Sequence, residues 1–167
     1  MKEEKDNFDW CLLQTKGLRL TETNENLSKI YLRKSKGALN MLGSAIEKKE
    51  YEWILDTSYY AKYFAIYALF IKAGIKCEIH DCTIFALNIL FAENRIVPFE
   101  IYEELKKSKE QRVGAIYYNK EFGLREIMIR ANATPEFCMK VEKIIENISD
   151  DQITKIRENF IRLKNKR

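Results

Sequence analysis

Two prolines and six glycines in 167 residues leave few positions for the tight turns of a β-sandwich or barrel. The chain therefore reads as long, uninterrupted helices. Histidine is scarcer still: His80 stands alone, so any chemistry that needs an imidazole has one residue to draw on. Gly-rich phosphate loops and Ser-His-Asp sets are missing. The acidic pairs Glu103-Glu104 and Asp150-Asp151 are adjacent in sequence and point in different directions on a helix. A large excess of one charge is lacking too. The 29 Lys and Arg against 25 Asp and Glu give a net charge of +4, which permits nucleic acid but falls short of a dedicated DNA-binding module. The opening residues MKEEKDNFDW carry no apolar signal-peptide core, and Cys11, Cys77, Cys82 and Cys138 are scattered. The expectation is reduced thiols in a cytoplasmic protein. Nothing in the sequence demands a cofactor.

What is present in quantity is apolar and aromatic: 46% hydrophobic residues are enough for one real core. Residues 53–73, WILDTSYYAKYFAIYALFIKA, form the segment around which the rest is organised, with Lys62 the one charge between positions 59 and 71. A helix apolar all round must be covered on every side, in a bundle or at a dimer seam. It is too short and too charged for a membrane span, which needs about 20 nearly uncharged residues. Tyr59, Tyr60, Tyr63, Phe64 and Tyr67 place large rings around this cylinder, and buried phenols need hydrogen-bond partners. These five are the candidate dimer interface.

Residues 1–23 do not follow a helical pattern and read as an extended or short-helical arm packed by its aromatics. From Asn24, a favourable N-cap, apolar residues recur at three and four to about residue 49. The second helix, 51–73, follows almost without a loop and stops at Gly74. A third covers 83–91. Pro98 opens a fourth, 98–118, where its missing N–H is harmless. Residues 119–133 break the periodicity and read as a long, partly extended connection. Thr134-Pro135-Glu136 then looks like a fresh helix start, and a last short helix with a basic tail fills 149–167. The expectation is an all-α, antiparallel up-and-down bundle of four to five main helices.

Taken in order, YLRKSKGALNMLGSAIEKKEYEW, then SYYAKYFAIYALFIKAGIKCEIHD, then an arginine followed closely by tyrosine, resemble the HEPN superfamily and especially its short single-domain members. Their second helix resembles Tyr59-Tyr60-Ala61 with Phe64, ending in a turn like Gly74-Ile75 with His80 shortly after. The likeness covers residues 24–148. It implies a helical bundle that pairs into a homodimer. Many members are metal-independent ribonucleases, often toxins encoded beside a nucleotidyltransferase partner; others bind nucleotides or only assemble. The family's ribonuclease signature is Arg, four to six residues, then His. Here Arg112 is followed by Val113 to Ile116 and then Tyr117, so the histidine position holds tyrosine. Imidazole suits proton transfer at neutral pH, whereas an ordinary phenol titrates near ~10.

The resulting expectation is a nucleic-acid- or nucleotide-binding protein with a degenerate ribonuclease motif. Arg112 contacts phosphate, and Tyr117 or Tyr118 stacks on a base or donates a hydrogen bond. The plain alternative pairs Arg112 with Glu104 or Glu110. An active ribonuclease of a toxin–antitoxin pair, with Arg112, Tyr117 and His80 as catalytic candidates, is the second reading. A structural, dimeric partner-binding module is the third. His80 and Asp81 otherwise start the third helix, the aspartate favoured by the helix dipole. Cys77, His80 and Cys82 invite zinc, with Cys11 or Cys138 as a fourth ligand, but the paired spacing of a zinc site is missing, and no metal is assigned.

Overall fold

The computed structural model describes residues 2–118 and 120–166, with side chains from residue 7 onward. Among these the chain is all-α: α1 (Lys2–Leu13), α2 (Glu25–Lys48), α3 (Tyr51–Lys72), α4 (His80–Ala86), α5 (Phe99–Tyr118), α6 (Leu124–Asn147) and α7 (Asp150–Asn165). A π-helical turn, Leu87–Ala92, continues α4. Among the described residues the only pairing of strands is a two-residue antiparallel bridge, Arg19–Leu20 against Ile75–Lys76.

α3 is the axis. It packs against α2, α5 and α6, and between Ile54 and Ile71 every residue is buried except Asp56, Thr57, Tyr60 and Phe64. Its boundaries follow the sequence signals. Asn24 Oδ1 accepts from the Leu27 N–H at 2.8 Å and starts α2. Lys49 adopts a positive φ of 59° and turns the chain into α3 within two residues. At the far end Gly74 has a φ of 70°, and a Cβ there would run into the Arg157 guanidinium and the Thr21 carbonyl. Arg157, from α7, donates to the carbonyls of Thr21, Ala73 and Gly74 at 2.8, 3.2 and 3.1 Å, and so closes the C-terminal end of α3.

Two expectations are corrected, and a third is narrowed: of the extended and short-helical forms expected for the N-terminal arm the structure has the helical one, with Phe8 and Cys11 buried and Trp10 half exposed. Cys11 is joined by a disulfide to Cys82, their Cα atoms 5.5 Å apart, so the four cysteines are not all reduced. The placement in a reducing cytoplasm loses the support it took from them. Finally, the described part of the 119–133 connection is mostly helix: α6 runs through Thr134 and Pro135 without a restart. Thr134 is fully buried, and its hydroxyl donates to the Arg130 carbonyl at 3.0 Å and lies 2.6 Å from the Ser58 hydroxyl. It is a core residue rather than a cap, and Ile127, Ala131, Thr134, Cys138, Val141 and Ile145 make one continuous buried stripe. Among the described residues no helix is long and apolar enough to cross a membrane.

Candidate functional site

Two elements, α5 and α4, converge beside the N-terminal half of α3. Arg112 projects from α5 toward Asp56 and Tyr60, which lie one turn apart on α3. Its Nε donates to Asp56 Oδ1 at 2.5 Å and its Nη2 to the Tyr60 hydroxyl at 3.3 Å. The guanidinium carbon lies 5.0, 5.5 and 5.9 Å from the ring centres of Tyr60, Tyr59 and Tyr117. Burial is the largest single influence and pulls the Arg112 pKa down, but the Asp56 hydrogen bond and charge together with the Tyr60 and Tyr117 phenols outweigh it, so the net shift is upward and the group stays charged. These contacts use only part of the guanidinium's donor set, and the rings around it are cation–π partners. Tyr117 and Tyr118, at the end of α5, are 65% and 76% exposed.

His80 enters the same cluster from the start of α4. Its Nδ1 lies 2.7 Å from the Tyr59 hydroxyl, its ring stacks on Tyr63 at 4.1 Å, and it meets Tyr60 edge-on at 6.1 Å. Burial lowers the His80 pKa, and the positive charges of Arg112 and Lys109 add to that, so the imidazole is neutral at pH 7. Burial raises the Tyr59 pKa well above the usual phenol range and keeps its hydroxyl protonated. Tyr59 is fully buried, and among the described residues its hydroxyl has no other hydrogen-bond partner. A buried O–H left without an acceptor costs about 1–3 kcal/mol. The tautomer assigned on this ground has Tyr59 donating to Nδ1 and the ring proton on Nε2.

The structure thus brings Arg112, Tyr117 and His80 into one neighbourhood, although His80 is 32 positions away from Arg112 in the sequence. The ion-pair partner of Arg112 is Asp56, neither Glu104 nor Glu110. Glu104 is committed elsewhere, to the fully buried Lys62 at 2.7 Å and to Arg130 at 2.8 Å. Burial pulls the Lys62 pKa down. Among the five rings expected at a dimer seam, Tyr59, Tyr63 and Tyr67 are buried in the chain's own core, while Tyr60 and Phe64 are half-buried. A partner can touch only the latter two. The Cys82 sulfur is taken by the disulfide, and no cluster of metal-ligating residues occurs among the described residues. The thiols of Cys77 and Cys138 are buried, which raises their pKa values.

The half-buried Arg112, held against the central helix beside the Tyr-Tyr-Ala run, lies within a stretch that a family model matches: the HEPN domain model covers residues 28–161. The chain belongs to the HEPN domain family. The matched stretch begins in α2 and continues into α7, and so includes α3, α4 and α5 with all the residues just described. Membership of the HEPN family supports a nucleotide- or RNA-related role in general. No curated protein and no solved structure matches the chain. Within this HEPN chain, Asp56 is the residue that sequence reasoning passed over. Its signal was the spacing of four to Tyr60, which sets the two on one helix face.

Proposed function

We propose that this HEPN protein binds the phosphate of an RNA chain or a nucleotide at Arg112 and does not cleave it. The observation that carries this reading is the hydrogen bond between the Tyr59 hydroxyl and His80 Nδ1. Metal-independent cleavage of RNA needs a base to take the proton of the attacking 2′-hydroxyl. With Nδ1 accepting from Tyr59 and the proton on Nε2, His80 has no lone pair to offer, and it acts as a hydrogen-bond donor. Arg112, pre-oriented by Asp56 and Tyr60, supplies the charge-assisted contact to a phosphate oxygen. The exposed rings of Tyr117 and Tyr118 supply stacking surface for a base.

The test is binding and cleavage on the same samples: uridine 5′-phosphate and a labelled mixed RNA pool, in chelator, with wild type, Arg112→Ala and His80→Ala. Binding without cutting, weakened tenfold or more by Arg112→Ala, is the expected result; charge-assisted contacts contribute about 1.5–3 kcal/mol. A second reading is favoured by the fact that the chain's lone imidazole lies in the Arg112 cluster at all. In the opposite tautomer Nδ1–H donates to the phenol oxygen and Nε2 becomes a base, making the protein a metal-independent ribonuclease. Cutting that survives chelation and is lost in both variants establishes that reading and overturns the first.

A further inference from the structure

We propose that the one partly open face of α3 is a track for a single-stranded polynucleotide, running from Arg112 across Tyr60, Phe64 and Tyr31 to Lys34, which holds a second phosphate. The proposal rests on the reading of Arg112 as a phosphate contact, and it extends the ligand from one nucleotide to a strand of several.

The track begins with a pattern in α3. The residues not fully buried between Ile54 and Ile71 include Asp56, Tyr60 and Phe64, spaced by four and therefore on one face. Tyr63 and Tyr67, three residues on from Tyr60 and Phe64, line the same side but are buried beneath their neighbours, Tyr31 standing 4.7 Å from Tyr67, and Tyr59 is core. The half-buried rings are fixed relative to one another. Tyr60 and Phe64 stack at 5.6 Å, and Tyr31 of α2 stands 6.2 Å from Phe64. Beyond them the exposed Lys34, one turn after Tyr31, holds its Nζ 4.5 Å from the Tyr31 ring centre and 5.8 Å from that of Phe64. Among the described residues no carboxylate is paired with Lys34, and the single acid on the face, Asp56, is committed to Arg112.

The two cations sit at opposite ends. Arg112 is anchored at Asp56 and Lys34 lies over Phe64, eight residues on, which is about 12 Å of helix axis. A single phosphate held at Arg112 does not reach Lys34; a strand whose bases lie on the intervening rings does. Rings flanked by cations suit single strands because every base has a face to stack, whatever the sequence. A duplex keeps its bases stacked on one another and has none to lay on these rings. A protein partner would meet an apolar face with an unneutralised ammonium at one end, which it must match with an acid.

The experiment is calorimetry of the full chain with uridine 5′-phosphate and with uridine oligonucleotides of increasing length, up to about eight, within the range spanned by compact single-strand sites. Oligothymidylates run beside them separate RNA from DNA, and tighter binding with length in either series supports the track. Lys34→Ala is expected to leave uridine 5′-phosphate binding unchanged. For the longest strand it should make the slope of log affinity against log salt shallower by about 0.7, the loss of one single-strand phosphate contact. Tyr31→Leu is expected to weaken the longest strand about fivefold or more, one stacking contact being worth about 1–3 kcal/mol. Affinity independent of length, a salt slope unmoved by Lys34→Ala, or equal binding of a duplex overturns the track while leaving the Arg112 reading intact. Uridine 5′-phosphate binding untouched by Arg112→Ala overturns that reading, and the track with it. Self-association that Lys34→Glu breaks, seen by light scattering, makes the face a seam between two copies and also overturns the proposal.

Discussion

His80 is where one residue's environment decides between binding and chemistry. It is half-buried beside two cations and pinned through Nδ1 to a phenol that cannot readily ionise. Its titration midpoint in the folded protein therefore lies below the ordinary value of about 6.5. As the only histidine, it gives a single ring resonance to follow by NMR. Arg112→Ala should move the midpoint up without restoring the ordinary value, because burial is the larger cause. Uridine 5′-phosphate should move it up as well, by bringing negative charge to the cluster. The sign for stability follows. The folded state resists protonation, so the contribution of His80 is complete above pH ~6.5 and is lost as pH falls from there through the folded midpoint. Denaturant unfolding at pH 7.5 and 5.5 should show a smaller loss on acidification for His80→Gln than for wild type. Equal losses would mean that the ring titrates as if solvated.

The helices divide into those that the sequence announces and those that it conceals. Asn24, Gly74 and Pro98 mark the ends of α2, α3 and α5 by local chemistry, and the structure places those boundaries within a residue or two of them. α6 is concealed by a false start. Thr134-Pro135-Glu136 has the residue types of a helix beginning, yet the buried Ser58 hydroxyl and the Arg130 carbonyl take the Thr134 side chain into the core, and tertiary packing overrides the signal. α1 is concealed because, among its described side chains, only Phe8 and Cys11 are fully buried before the chain turns at Gly17. The site was half legible for a similar reason. Arg112 stood out by resemblance, whereas Asp56 and His80 join it only once α3 lies against α5 and α4. Pro135 tests the element directly. It is exposed and lacks the N–H that would bond the Ala131 carbonyl. An interior proline costs about 3 kcal/mol relative to alanine, so Pro135→Ala is expected to stabilise the fold by some part of that. Chemical denaturation gives the shift, and a loss of stability would show that the packing of α6 depends on the proline.

At the scale of the whole molecule, α3 is enclosed by the others and its last turn is sealed by Arg157, so the site rests on the largely buried central helix of the fold. The disulfide adds a covalent constraint to this packing. Closing a loop with a sequence separation of 71 residues restricts the unfolded chain by about 4 kcal/mol on the chain-entropy account. Unfolding in the presence of a dithiol should lower the stability by up to that amount, and Cys11→Ala with Cys82→Ala should reproduce the effect; no change would mean that the bond does not form in solution. The same bond also gives the molecule a topology. Residues 11–82 are a closed ring that contains all of α2 and α3, with Lys34, Asp56, Tyr60 and His80 on it, while Arg112 lies on the open chain beyond. A single protease cut anywhere in that ring opens it without releasing a piece. A nicked molecule keeps both halves of its central hairpin until a reductant arrives.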